Sequence, residues 1–135
     1  MDYSIKELVK IEDKRGFLVE FLKSSELAED EKSFGQIYLT TIKRGHVRGN
    51  HYHQRKREFY VIISGKASLL LEDINTKERK EFEIDASENK IVRISVGRNV
   101  AHAIKNISEQ DILLCAYTNI EYDENAIDQE VYTLL

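Results

Sequence analysis

The chain has no proline and no tryptophan, and only one cysteine, one methionine and six glycines among 135 residues. Without proline there is no stiff polyproline spacer, and no Pro-, Gly- or Ser-rich stretch marks a linker between domains. The single thiol, Cys115, cannot close an internal disulfide. The fold must therefore rest on its core, and a reducing, cytoplasmic compartment is the expectation. No run of about 18 apolar residues exists, so no transmembrane helix and no membrane partner are expected. Residues 1–7 lack the apolar stretch of a signal peptide. Internal repeats and low-complexity tracts are missing too. Acidic residues are absent from one long stretch: none falls between Lys32 and Arg57, although the whole chain carries a formal net charge of −4. An acidic chain without a nucleic-acid motif makes a poor partner for DNA or RNA. What is present is ordinary for a globular protein, with 41% hydrophobic and 33% charged residues. The length suits one domain, residues 1–135, with a sizeable core.

Most segments read as strands. Residues 17–22 are short and apolar, and residues 24–32 are polar and acidic, suited to a helical turn or a loop. Residues 36–42 alternate, with Ile37, Leu39 and Thr41 on one side and Tyr38 and Thr40 on the other. Residues 59–63 and 67–71 are strands around a turn at Ser64-Gly65. Residues 73–78 form a hairpin tip, and 80–84, 91–94 and 112–117 are further strands. Cys115 is expected to be a buried strand residue. Short strands at this spacing argue for an all-β sandwich or barrel.

Three of the four histidines fall within eight residues, 46–53, followed by Glu58 and Gly65. The spacing is G-x5-H-x-H-x4-E-x6-G, running from Gly45 through His51, His53 and Glu58 to Gly65. Residues two apart on a strand share a face, so His51 and His53 point together. Residues 54–57 suit a hairpin loop, which sets Glu58 across from His53 and Tyr60 across from His51. Such a cluster can hold a metal or move a proton. His46 lies outside it and reads as a surface residue. Basic residues Lys43, Arg44, Arg48, Arg55, Lys56 and Arg57 bracket the histidines, which suggests an anion-binding mouth for a phosphorylated ligand.

Five fixed positions at this spacing coincide by chance on the order of 10⁻⁵ of the time in so short a chain. The spacing resembles the first motif of the cupin superfamily. The second motif, P-x-G-x-x-H-x-x-x-N, is matched by residues 97–106, where His102 and Asn106 fit, Gly97 replaces the proline and Asn99 replaces the glycine. Asn tolerates a left-handed turn, so Asn99 keeps that feature. The resemblance implies a double-stranded β-helix, the cupin jelly roll, with an interior sized for one small ligand.

A narrower resemblance runs from Asp13 to about Asp128. The Arg48-Gly49-Asn50-His51-Tyr52-His53 string and residues 35–41 are similar to nucleotide-sugar cupins: 4-keto-6-deoxyhexose 3,5-epimerases, 3,4-ketoisomerases and, most of all, the cupin domain of capsular UDP-sugar reductases. Residues 13–20 resemble the D-x-R-G-x-x-x-E signature of the epimerases. The resemblance implies roles residue by residue. His51 is the general base, with His53 and His102 assisting or polarising a ketone, and Tyr122 falls in the region of the epimerases' acid tyrosine. Arg48 takes the diphosphate, Arg15 and Glu20 touch the nucleotide, often across a dimer interface, and Tyr38 lines the sugar pocket. Tyr60 and His102 complete the substrate-binding set. The implied activity is a dTDP- or UDP-sugar epimerase or ketoisomerase in cell-surface polysaccharide synthesis, and a homodimer is expected because small β-sandwiches often hide an edge strand against a twin. His51, His53, Glu58 and His102 also form a ligand set for Zn²⁺, Ni²⁺, Fe²⁺ or Mn²⁺, whereas the related epimerases and ketoisomerases work without one. A non-catalytic binding cupin and an iron-dependent redox cupin stay open as alternatives.

Overall fold

The structure, a computed structural model, describes residues 1–87 and 90–135. In chain order the strands are β1 (Tyr3–Leu8), β2 (Ile11–Asp13), β3 (Gly16–Leu18), β4 (Gln36–Ile42), β5 (Val47–Tyr52), β6 (Glu58–Ser64), β7 (Lys66–Asp73), β8 (Arg79–Asp85), β9 (Ile91–Val96), β10 (Val100–Asn106), β11 (Ile112–Thr118) and β12 (Glu130–Val131). They form two five-stranded antiparallel sheets, β1-β9-β6-β11-β4 and β12-β5-β10-β7-β8, and a small β2-β3 hairpin. This is the jelly roll expected of a cupin. Ile42, Ile62, Leu69, Leu71, Ile94 and Ile112 fill the core. Residues 24–32 hold two short 3₁₀ turns, Ser24–Glu26 and Glu29–Glu31.

The continuous apolar run on β6 has a simple cause. β6 lies in the middle of its sheet, so Tyr60 and Ile62 face the core, while Val61 on the other face is covered by Leu8, Ile91, Val19 and Phe21. A strand covered on both faces cannot alternate. The covering segment is pinned by Arg93, which donates to the Phe21 carbonyl at 3.0 Å and pairs with Glu26 at 2.9 Å.

Four expectations need correction. Residues 54–57 do not close a hairpin: β5 pairs with β10 and β12, β6 pairs with β9 and β11, and the linker carries the chain from one sheet to the other. Its amides are drawn off any ladder by side chains, since the Asp128 carboxylate accepts from Gln54, Arg55 and Lys56, and Asn119 Oδ1 accepts from Arg57. Glu58 therefore does not sit across a ladder from His53, nor Tyr60 from His51; Tyr60 pairs with Ala116 and Ile94, and His51 with His102 and Val131. The strand at 17–22 stops at Leu18 and pairs only with exposed β2, because the chain then turns to lay Val19 and Phe21 over the sheet. Cys115 is half-buried rather than buried, since its β4 partner Leu39 is exposed and leaves that side of the sheet open.

Candidate active site

The three imidazoles are assembled by the second sheet. His51 and His102 are register partners on β5 and β10, with ring centroids 4.7 Å apart. His53, one residue past β5, lies 4.9 Å from His51 and 5.8 Å from His102 by the same measure. This close approach depends on Gly49. Its φ is +100°, and a Cβ there would lie 2.5 Å from the His102 carbonyl oxygen, at the bulge where the β5–β10 register slips. The second motif turn is built likewise. Asn99 adopts φ 60° and donates its N–H to the His53 carbonyl at 2.7 Å. Gly97 stands where cupins usually carry proline, and its backbone N–H donates to the Asp2 carbonyl at 2.7 Å, a bond proline could not make. The motif's Asn106 is a buried brace, donating to the Ile42 and Gln110 carbonyls.

Glu58 enters from the facing sheet. Its Oε2 lies 3.1 Å from His53 Nε2 and 3.3 Å from His102 Nε2. The ligand-capable atoms of His51, His53, Glu58 and His102 all lie within 4.8 Å of one another. Convergence thus arises between two facing sheets, not along one hairpin. The Tyr60 hydroxyl donates to Glu58 and lies 2.9 Å from His102 Nε2, and the Tyr38 hydroxyl donates to Glu58 Oε1 at 3.4 Å. Burial pushes the Glu58 carboxyl up, but the His102 and His53 imidazoles outweigh it and hold the group well below the usual carboxylate range. Both phenols are pushed up, by burial first and then by the Glu58 charge. Burial, with His102 and His53 beside it, lowers His51 to about 4, so it is a neutral imidazole at pH 7.

A cleft of about 560 Å³ opens over this cluster, with Tyr38, Arg48, His51, Tyr60, His102 and Gln129 among its walls. Arg48 Nε donates to the Thr41 carbonyl at 2.8 Å, which aims the guanidinium along the rim. A smaller adjoining pocket of about 220 Å³ joins His51 and Tyr38 to Lys56, Glu58 and Tyr122. Tyr122 is otherwise exposed. Arg15 and Glu20 are not in the cleft: Arg15 sits at the β2–β3 tip paired with Asp13, and Glu20 is exposed and pairs with Lys23. The basic stretch divides. Arg48 and Lys56 reach the cleft and its neighbour, whereas Arg44 pairs with Glu109, and Arg57 is taken up by Asp2 and Glu31. His46 is exposed. Sequence reasoning missed Gln129 in the cleft wall and Asp128, whose carbonyl oxygen lies 2.5 Å from His53 Nδ1. Neither belongs to a spacing motif, and Asp128 lies 75 residues from its histidine.

The donor set suits a divalent metal. His53 Nε2 is buried without an aligned hydrogen bond and lies 3.1 Å from Glu58 Oε2, so the two atoms face one point where an ion could sit. Three imidazoles and a carboxylate are ligands that Zn²⁺, Fe²⁺, Ni²⁺ and Mn²⁺ all accept.

Residues 11–130 match the model of the polysaccharide biosynthesis C-terminal domain family. The chain belongs to this family. It is 23% identical over 129 residues to the spore coat polysaccharide biosynthesis protein SpsL of Bacillus subtilis, covering 93% of this chain and 84% of SpsL. It is 29% identical over 116 residues to a UDP-2-acetamido-2,6-beta-L-arabino-hexul-4-ose reductase of Pseudomonas aeruginosa, covering 86% of this chain but only 29% of that protein. Among solved structures, a dTDP sugar isomerase from Desulfovibrio desulfuricans superposes with a TM-score of 0.81 at 16% identity, over 97% of this chain and 83% of the other. No helix among the described residues is long and apolar enough to cross a membrane.

Proposed function

We propose that this family member isomerises a nucleotide-activated (dTDP or UDP) 4-keto-6-deoxyhexose, as an epimerase or a ketoisomerase, by removing a proton beside the ketone during cell-surface polysaccharide synthesis. One observation carries the reading: His51 lies in an open cleft with an arginine on its rim and two further imidazoles beside it. The names of the Desulfovibrio dTDP sugar isomerase and the Pseudomonas UDP-sugar reductase support the substrate class.

The chemistry follows from these groups. Protons on carbons next to a ketone are acidic enough for an imidazole to remove. His51 acts as the base. The enolate oxygen is met by hydrogen-bond donors, with His102, His53 and the phenols at hand. Tyr122, beside His51 in the adjoining pocket, serves as the acid. Returning the proton to the opposite face inverts the carbon, and returning it to the neighbouring carbon moves the ketone. Arg48 presents its planar fork to the diphosphate. His51 is the base in the metal-free form; His51, His53, Glu58 and His102 are also the residues that would hold a divalent ion, which would polarise the ketone as a Lewis acid and would then leave His51 no lone pair for the proton.

Residues 1–135 act as one jelly-roll domain that pairs with a second copy. The β2–β3 arm supports this: Ile11 (60%), Phe17 (47%) and Leu18 (58%) are exposed on it, an apolar surface in need of cover. In such a pair Arg15 and Glu20 reach the nucleotide in the partner's cleft.

The test is incubation with dTDP- and UDP-4-keto-6-deoxyhexoses in deuterated water, followed by NMR of the sugar. Deuterium next to the ketone supports the proposal. Tight binding with no exchange for any such sugar makes the chain a binding module, and iron-dependent oxygen consumption makes it a redox cupin.

A further inference from the structure

We propose that Asp128 is a positioning residue of this site, fixing which nitrogen of His53 carries the proton and holding the linker that joins the two sheets; the role deepens the reading of His53 as a working residue of the isomerase. The linker 54–57 crosses from one sheet to the other. It carries His53 at one end, on the second sheet, and Glu58 at the other, on the first, and the backbone N–H groups of Gln54, Arg55 and Lys56 go to a side chain. One carboxylate takes all three: Asp128 Oδ1 accepts from Gln54 at 2.8 Å, and Oδ2 accepts from Arg55 and from Lys56, each at 3.0 Å. A carboxylate offers about four acceptor sites and no donor, so it alone among short side chains satisfies three converging N–H groups.

The same residue acts a second time through its backbone. Its carbonyl oxygen lies 2.5 Å from His53 Nδ1, and a carbonyl only accepts, so Nδ1 bears the hydrogen. Nε2 is thereby turned towards the site, 3.1 Å from Glu58 Oε2. The segment is anchored on its far side as well. β12 adds to the edge of β5, with Glu130 opposite Tyr52 and Val131 opposite His51, and Tyr132 donates its N–H to the Asn50 carbonyl at 2.7 Å. Asp128 therefore clamps the linker with its side chain and the imidazole with its main chain. Freeing the side chain lets the linker and the carbonyl move apart, and His53 loses the contact that selects its tautomer. Partners of this kind fix ring orientation and tautomer in metal-ligating histidines.

The experiment uses the chelator-treated full chain labelled with ¹⁵N-histidine, read by long-range ¹H–¹⁵N correlation of the His53 ring at pH 7. The wild type is expected to show the Nδ1–H form. Asp128→Ala is expected to shift His53 towards the Nε2–H form, and Asp128→Asn, which keeps one acceptor oxygen, to shift it less. Where exchange activity is present, Asp128→Ala should lower its rate about 10–100-fold, with partial rescue in Asp128→Asn. A wild-type ring in the Nε2–H form, or an Asp128→Ala ring unchanged from wild type, overturns the proposal. Should Asp128→Ala fail to fold, Asp128→Asn decides: a partial shift supports the role and an unchanged ring refutes it. The ring spectrum needs no substrate. A tautomer shift in a protein that exchanges no sugar proton would sink the isomerase reading and leave the role of Asp128 standing.

Discussion

Replacing Gly49 by alanine strikes the point where the two strands bearing His51 and His102 come closest. Two costs add there. A side chain at positive φ is strained by roughly 1–2 kcal/mol, and Gly49 sits at +100°. The new Cβ would also stand 2.5 Å from the His102 carbonyl oxygen and 3.1 Å from the Ala103 Cα, both backbone atoms that no rotamer change can move. Overpacking of this kind typically costs about 1–3 kcal/mol. The sum, about 2–5 kcal/mol, is a large share of the roughly 5–15 kcal/mol that holds a domain together. Gly45→Ala is the control: its φ is +75° but nothing lies within 4 Å of a Cβ there, so only the first cost applies. Urea unfolding followed by circular dichroism measures both, with the m-value checked for constancy. Gly49→Ala should lose at least about 1 kcal/mol more than Gly45→Ala, by the lower end of the clash cost. Equal losses, or a Gly49→Ala protein as stable as wild type, would show that β5 does not press on His102 and would undo the site geometry.

Two further outcomes concern acidity and phosphate binding. His51 is lowered to about 4 in the fold from an ordinary value of 6.5, so the unfolded chain binds the proton first. Its contribution to stability is complete above pH 6.5 and fades as pH falls towards 4. In the chelator-treated protein the unfolding free energy should fall over that window less steeply for His51→Gln than for wild type, and identical slopes would refute the assignment. The acid limb of kcat/KM should likewise lie near the lowered value, not near 6.5. Arg48→Ala should raise KM for the nucleotide sugar about tenfold, equivalent to about 1.4 kcal/mol, with kcat nearly unchanged; a KM equal to wild type would remove Arg48 from the diphosphate.

How much of this could be read from residues alone differs from one element to the next. The pairing of His51 with His53 was legible because strand periodicity is local. Glu58 was assigned to the right cluster by the wrong route, since a hairpin and a crossing between facing sheets can both bring position 58 to position 53, and spacing does not separate them. His102 was found through its motif, and Asn99 keeps the left-handed turn there with φ 60°. β1 went unread because an edge strand of six residues with three charged or polar outward positions looks like a solvated terminus. The basic stretch misled in part: the partners that take up Arg57, Asp2 and Glu31, lie 55 and 26 residues away, and no local pattern announces them. Asp128 was invisible for the same reason, because a clamp made by one carboxylate and one main-chain carbonyl leaves no periodic trace.

The decisive step of the proposed reaction is the removal by His51 of a proton from the carbon beside a sugar ketone. Its most direct test is the rate of deuterium wash-in at that carbon, for wild type and His51→Ala, with each 4-keto sugar nucleotide at saturation. Exchange is expected in the wild type, with a loss of about 10²–10⁴-fold in the variant, the usual worth of a positioned general base. Exchange at the wild-type rate in a folded His51→Ala protein would contradict that role.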